Sequence, residues 1–88
     1  MNSPTLKRLL ARLKELRRLR NLTQEAFAER AGMSYKHYQA LEAGRKPDLR
    51  LSTLERLAKA HGLEVYDLFS PRLVRDKLPS RKGATRVR

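Results

Sequence analysis

Residues 23–44 read TQEAFAERAGMSYKHYQALEAG, and their punctuation divides them into two short helices joined by a tight turn. Thr23 is an N-cap residue whose hydroxyl can accept an orphan amide of the first helical turn, and Glu25 follows where the helix dipole favours an acid. Phe27, Ala28 and Ala31 then fall on one side at helical spacing. Gly32 interrupts the pattern. Lacking a Cβ, it takes positive φ without penalty, so the next helix can cross the first steeply. Ser34 opens that helix as a second N-cap, Tyr38 and Leu41 supply its inner face, and Gly44 closes it after about Ala43. Ala28, four residues before the glycine, is small where the two helices would meet. Phe27, Ala31, Tyr38 and Leu41 are expected to fill the space between them.

The flanks read the same way. From Thr5 to Arg20, Leu6, Leu9, Leu10, Leu13, Leu16 and Leu19 make one apolar stripe on a cationic helix, which Asn21 ends because asparagine tolerates the left-handed conformation. Beyond Gly44, Arg45-Lys46-Pro47-Asp48 reads as a loop. Ser52 with Glu55 predicts a capping box for a fourth helix with Leu54, Leu57 and Ala58 inward. Gly62 stops that helix, and Leu63, Val65, Leu68 and Phe69 suit a last short helix before Pro71. No stretch alternates as a strand does, and no repeat is present. The expected fold is all-α, a compact domain of five short helices over residues 1–70 followed by a basic tail over 71–88.

Composition narrows what such a domain can do. The 88 residues include 21 Lys plus Arg against 9 Asp plus Glu, a formal charge of +12, and no cysteine. That rules out disulfides, thiolate metal sites and a cysteine nucleophile. His37 and His61 have no acidic or histidine cluster around them, so neither a metal nor a cofactor is expected. No apolar run approaches the roughly 20 residues of a membrane span, and Lys7, Arg8, Arg12 and Lys14 break up any secretory signal. A cytoplasmic location is therefore expected. The charge is segregated: residues 21–70 are formally neutral, whereas the first 20 residues have Glu15 as their one acid and the last 18 have Asp76. Such an excess points to a polyanion. Pro71, Pro79, Ser80 and Gly83 argue against a continuous helix in the tail. The tail reads either as a solvated, partly disordered extension or as a basic arm that touches phosphate, and the two are compatible because such arms order on binding.

One local feature bears on the partner. Lys36 and His37 lie in the first turn of the third helix with no acid beside them. The helix dipole disfavours a cation there by roughly 0.3–1 kcal/mol. An exposed lysine costs little in isolation. Within two helices joined by a glycine turn, however, a cationic N-terminus suits the helix-turn-helix arrangement, in which the second helix is presented to the major groove.

Residues Leu13 to Phe69 resemble the lambda-repressor-like helix-turn-helix family (Cro and phage-repressor type, xenobiotic-response-element). The matching residues are Leu13, Leu16 and Arg17, the run Leu22–Ala28, Ala31-Gly32-Met33-Ser34, the run Leu41–Pro47 and the run Leu54–Leu63. The resemblance implies that Gln24 holds a phosphate and braces the recognition helix. It implies that Ser34, Tyr35 and Lys36 reach base edges or adjoining backbone, and that Ala40 faces the groove one turn on; His37, in the same first turn, is a further candidate for DNA contact. Arg45 and Lys46, joined by Arg50, match loop residues that grip phosphates. Arg17 and Glu42 match a structural ion pair between the first and third helices, which reads Glu42 as architecture rather than as a catalytic acid. Val65, Tyr66 and Phe69 are candidates for a dimer contact, with ordinary core packing as the alternative. Three departures stand out. Tyr38 replaces a β-branched aliphatic, which predicts a slightly displaced third helix. Ala40 offers only a methyl, suited to thymine. The first helix also begins earlier than the family core requires, leaving Leu6, Leu9 and Leu10 to pack on Leu73, Val74 and Leu78 of the tail or between protomers.

The expected function is a sequence-specific, double-stranded-DNA-binding transcription regulator, not an enzyme, acting as a homodimer on a pseudo-palindromic operator. A DNA-binding antitoxin or a restriction–modification controller is an alternative within the class, and a protein partner such as a toxin or polymerase is left open. A protein- or membrane-interaction module is the rival from another class. It is disfavoured because the leucine stripe is needed to close the core, so no membrane partner is expected.

Overall fold

The structure is a computed structural model and describes residues 3–71. Four α-helices follow one another: α1 (Pro4–Leu19), α2 (Gln24–Ala31), α3 (Tyr35–Glu42) and α4 (Leu51–Ala60). A 3₁₀ turn, Val65–Leu68, completes the described chain, and no strand occurs among the described residues. The fold is all-helical, but the fifth helix is this single tight turn. The chain stays extended at Glu64, and the residue before a proline is pushed out of the helical region, so the segment between Glu64 and Pro71 is left with one short turn.

The punctuation works through specific bonds. Ser3 caps α1, its Oγ accepting from Leu6 N at 3.0 Å, and Pro4 follows in the first turn, where a missing amide costs nothing. Asn21, at φ 59°, ends that helix in the left-handed region. Thr23 Oγ1 accepts from Ala26 N and Ser34 Oγ from His37 N, each at 3.0 Å. Gly32 lies at φ 72°, and the turn it allows carries α2 into α3.

The capping box expected at Ser52 and Glu55 does not form. Helix α4 starts two residues earlier, with extended Arg50 as N-cap and no side-chain cap bond. Half-buried Leu49 is drawn onto the core, and the Arg50 carbonyl already accepts from Thr53 N and Leu54 N. Ser52 is therefore inside the helix, where its hydroxyl cannot reach the orphan amides.

The core runs from Leu6, Leu9, Leu10, Leu13 and Leu16 of α1 through Phe27, Ala28 and Ala31, Tyr38 and Leu41, Leu57 and Ala58 to Leu63 and Leu68. Leu6, Leu9 and Leu10, which the family core leaves without a role, belong to it. Leu73, Val74 and Leu78, offered above as their partners, lie outside the described residues, as does the rest of the tail beyond Pro71. Phe27 is central: the Tyr38 ring meets it edge-on at 5.1 Å and the His61 ring stacks on it at 4.3 Å. Helix α1 also grips the far end of the domain. Buried Arg12 donates to the Asp67 carbonyl and, at 2.8 Å, to that of Ser70, so a residue that composition counts as one more surface cation closes the C-terminal turn.

Candidate nucleic-acid interface

Helix α3 has two faces. Tyr38, Leu41 and Glu42 are buried, whereas Tyr35, Lys36, His37 and Gln39 are exposed and Ala40 is half-buried. The exposed first turn contains no acid. Its free amides and helix dipole, about half a positive charge, therefore add to the Lys36 ammonium. Gln39, one turn beyond Tyr35, donates from Nε2 to Tyr35 Oη at 3.4 Å. Sequence reasoning passed over Gln39, although its four-residue spacing from Tyr35 places both on one helical face.

The inner end of α3 is held by a buried polar node. Glu42 is 2% exposed and both its oxygens are bonded. Oε1 accepts from Arg17 Nη2 at 2.9 Å and Gln24 Nε2 at 2.8 Å, while Oε2 accepts from Arg17 Nε at 3.0 Å and from the Tyr38 hydroxyl. Arg17 also donates from Nη1 to the Leu22 carbonyl at 3.0 Å, tying α1 to the loop before α2. Burial alone would raise the Glu42 carboxyl, but the bonds from Arg17, Tyr38 and Gln24 override it and hold the group below the usual carboxylate range. Burial, and then the bond to Glu42, push the Tyr38 phenol well up. The bond to Glu42 raises the Arg17 guanidinium despite its partial burial. Glu42 and Arg17 are therefore ionised and the Tyr38 phenol neutral throughout the physiological range, with one carboxylate joining α1, α2 and α3.

Tyr38 occupies its unusual position for a visible reason. Its ring fills the α2–α3 interface against Phe27 while its hydroxyl reaches Glu42, which an aliphatic side chain could not do.

The remaining candidates divide by position. Gln24 is half-buried at the start of α2, one of its N–H groups engaged by Glu42. Arg45 and Lys46 are exposed just past α3, where Gly44 at φ 83° turns the chain and Arg45 N returns to the Ala40 carbonyl at 3.0 Å. Arg50 is exposed at the mouth of α4. None of Lys36, Arg45, Lys46 or Arg50 forms an ion pair among the described residues. Helix α3 thus has a cationic first turn at one end and unpaired loop cations at the other, about 12 Å apart along eight residues.

The dimer candidates do not behave alike. Val65 and Phe69 are half-buried against the core, whereas Tyr66 is 67% exposed. Leu51, which the sequence reading had not singled out, is 64% exposed and lines the same cleft between α4 and the 3₁₀ turn. No cluster of histidine or acidic side chains able to hold a metal occurs among the described residues, and no helix there is long and apolar enough to cross a membrane.

Comparison with curated proteins and with solved structures returns no match. The sequence does match the family described as helix-turn-helix, over residues 13–68. That span runs from the second half of α1 to the end of the 3₁₀ turn and includes every element that shapes the α2–α3 pair. The chain belongs to the lambda-repressor/Cro-like helix-turn-helix family of DNA-binding domains.

Proposed function

We propose that this DNA-binding protein is a sequence-specific transcription regulator that reads a pseudo-palindromic operator as a homodimer, with α3 in the major groove. The observation carrying this reading is the exposed, acid-free first turn of α3 on a helix whose other end is clamped by the Glu42 node. A helix roughly 10–12 Å across suits a groove about 12 Å wide. Lys36 donates to guanine N7 or O6, Tyr35 makes base or backbone contacts, and the Ala40 methyl meets a thymine methyl. Ser34 and His37, at the same helix end, contact adjoining backbone. Gln24, Arg45, Lys46 and Arg50 neutralise phosphates and supply the salt-dependent, sequence-independent part of the affinity.

One recognition helix reads only a few base pairs. Two copies about 34 Å apart gain affinity and specificity together. The pairing surface in this reading is the cleft lined by Leu51, Val65 and Tyr66, with Phe69 just beyond it in the chain, since Leu51 and Tyr66 are large apolar side chains exposed there.

The test is a fluorescence titration of the whole chain against the DNA upstream of its own gene at about 0.15 M salt, with a shuffled duplex as competitor. A preference of about 10³ or more establishes operator recognition. Binding to neither duplex removes the major-groove assignment of Lys36, Arg45 and Lys46.

A further inference from the structure

A second cationic feature lies away from α3 and the loop that follows it. The C-terminal ends of α1, α2 and α4 converge on a cleft of about 560 Å³ walled by Arg20, Arg30, Arg56 and Lys59, with Gly32 and Gly62 at its margin. No carboxylate lines it, and none of the four cations has an acidic partner among the described residues. Part of this arrangement has a local cause. Arg20 caps α1, and Arg30 and Lys59 lie in the last turns of α2 and α4, where the dipole favours cations.

That cause is too small for the charge gathered. Three helix ends supply roughly −1.5 in all, against four full positive charges. Arg56 stands mid-helix and reaches across to α2, with one long bond from Nη1 to the Gly32 carbonyl at 3.4 Å. Arg20 makes one similar bond, from Nη1 to the His61 carbonyl at 3.3 Å. A guanidinium carries five N–H donors, so most of the donor capacity here is unspent. Burial, and then the neighbouring charge of Arg30, make the Arg20 cation harder to keep.

We propose that this cleft binds a phosphate group, borne either by a small phosphorylated ligand or by a nucleic-acid backbone. A dianionic phosphate offsets the residual charge of the cleft and accepts several charge-assisted bonds from forked guanidinium donors. Arg30, Arg56 and Lys59 line it with exposed side chains, and Arg20 lines it half-buried. None of these groups belongs to α3 or to the loop after it, so the proposal stands independently of operator reading.

The experiment titrates the whole chain with sodium phosphate, against sodium chloride at matched ionic strength. NMR follows the Gly32 and Gly62 amides and the arginine Nε–H signals. A saturable shift specific to phosphate is expected, roughly tenfold weaker in an Arg30→Gln/Arg56→Gln variant. Both side chains are exposed, so circular dichroism should find that variant folded. Identical responses to phosphate and chloride, or undiminished binding by the variant, overturn the proposal. Adenosine monophosphate and a short duplex are then titrated separately. Shifts of these signals by the nucleotide alone assign the phosphate to a free ligand, and shifts by the duplex that phosphate reverses assign it to a backbone. Failure of Lys36-dependent duplex binding would strike at the α3 reading and leave the cleft signals untouched.

Discussion

Glu42→Gln is the substitution most informative about how α3 is presented. It preserves volume and leaves the backbone alone, but it replaces one of two accepting oxygens with a donating amide. The carboxylate takes four bonds, two from Arg17 and one each from Gln24 and Tyr38, at a site 2% exposed. In the variant the new NH₂ must face a donor, either Tyr38 Oη with Arg17 Nε or Gln24 Nε2 with Arg17 Nη2. The Arg17 charge meanwhile loses its counterion with its side chain 16% exposed. Removing one partner of a buried pair costs about 3–5 kcal/mol. Arg17 keeps some solvent and its bond to the Leu22 carbonyl, which places the expected loss near the lower end, about 3 kcal/mol. For a domain of this size that lowers Tm by roughly 12–24 °C. Urea unfolding at pH 7, followed by far-ultraviolet circular dichroism, measures it. The cycle with Arg17→Met should show strong coupling, because removing the guanidinium relieves most of the penalty of the amide. A loss below about 0.5 kcal/mol, typical of an ordinary surface change, would refute the reasoning. So would strict additivity in the cycle.

Other substitutions probe separate parts of the molecule. His61 is fully buried on Phe27, neither ring nitrogen has a partner among the described residues, and burial followed by the charges of Arg20 and Arg30 pushes its pKa down to about 4. The lowered value means that its contribution is complete above the unfolded value of about 6.5 and is lost as pH falls through 4. Stability should therefore drop by about 3 kcal/mol across that window, and His61→Phe should flatten the slope; an unchanged slope would assign it elsewhere. The Glu42 carboxyl, held low, adds its own loss further down, below the usual carboxylate range. Lys36→Ala should cost about 1–3 kcal/mol of operator binding and relax specificity at one position, whereas Lys46→Ala should weaken all duplexes equally and reduce the salt slope by about 1; quantitative titrations at several salt concentrations distinguish the two. Gly32→Ala meets nothing within 4 Å, so its cost is the φ of 72° alone, about 1–2 kcal/mol by urea midpoint. A much larger loss would show that the turn is constrained by more than its backbone.

The node and the turn act together on function. Gly32 sets the angle at which α3 leaves α2, and Glu42 holds the other end of α3 against α1 and α2. In the proposed function α3 is the recognition helix, and at eight residues it is too short to be stable alone in water. Its presentation to DNA therefore depends on these two anchors and on the Tyr38–Phe27 contact between them.

What was legible in the sequence is what short-range physics dictates. The leucine period of α1, the hydroxyl caps at Thr23 and Ser34, and the left-handed stops at Asn21, Gly32 and Gly44 involve atoms within a few residues of one another. The cationic first turn of α3 belongs to the same class. The misplaced start of α4 shows the limit. Ser52 and Glu55 fit a capping box locally, but the burial of Leu49, a tertiary effect, started the helix two residues earlier. The fifth helix shrank to a 3₁₀ turn between extended Glu64 and Pro71. The reach of Arg12 to the carbonyls of Asp67 and Ser70, the stacking of His61 on Phe27, and the convergence of Arg20, Arg30, Arg56 and Lys59 join residues far apart in the chain. No local pattern encodes such distances. Periodicity and caps set where each helix lies in the chain, whereas the partners of its buried charges and the walls of its clefts were decided only when the helices packed.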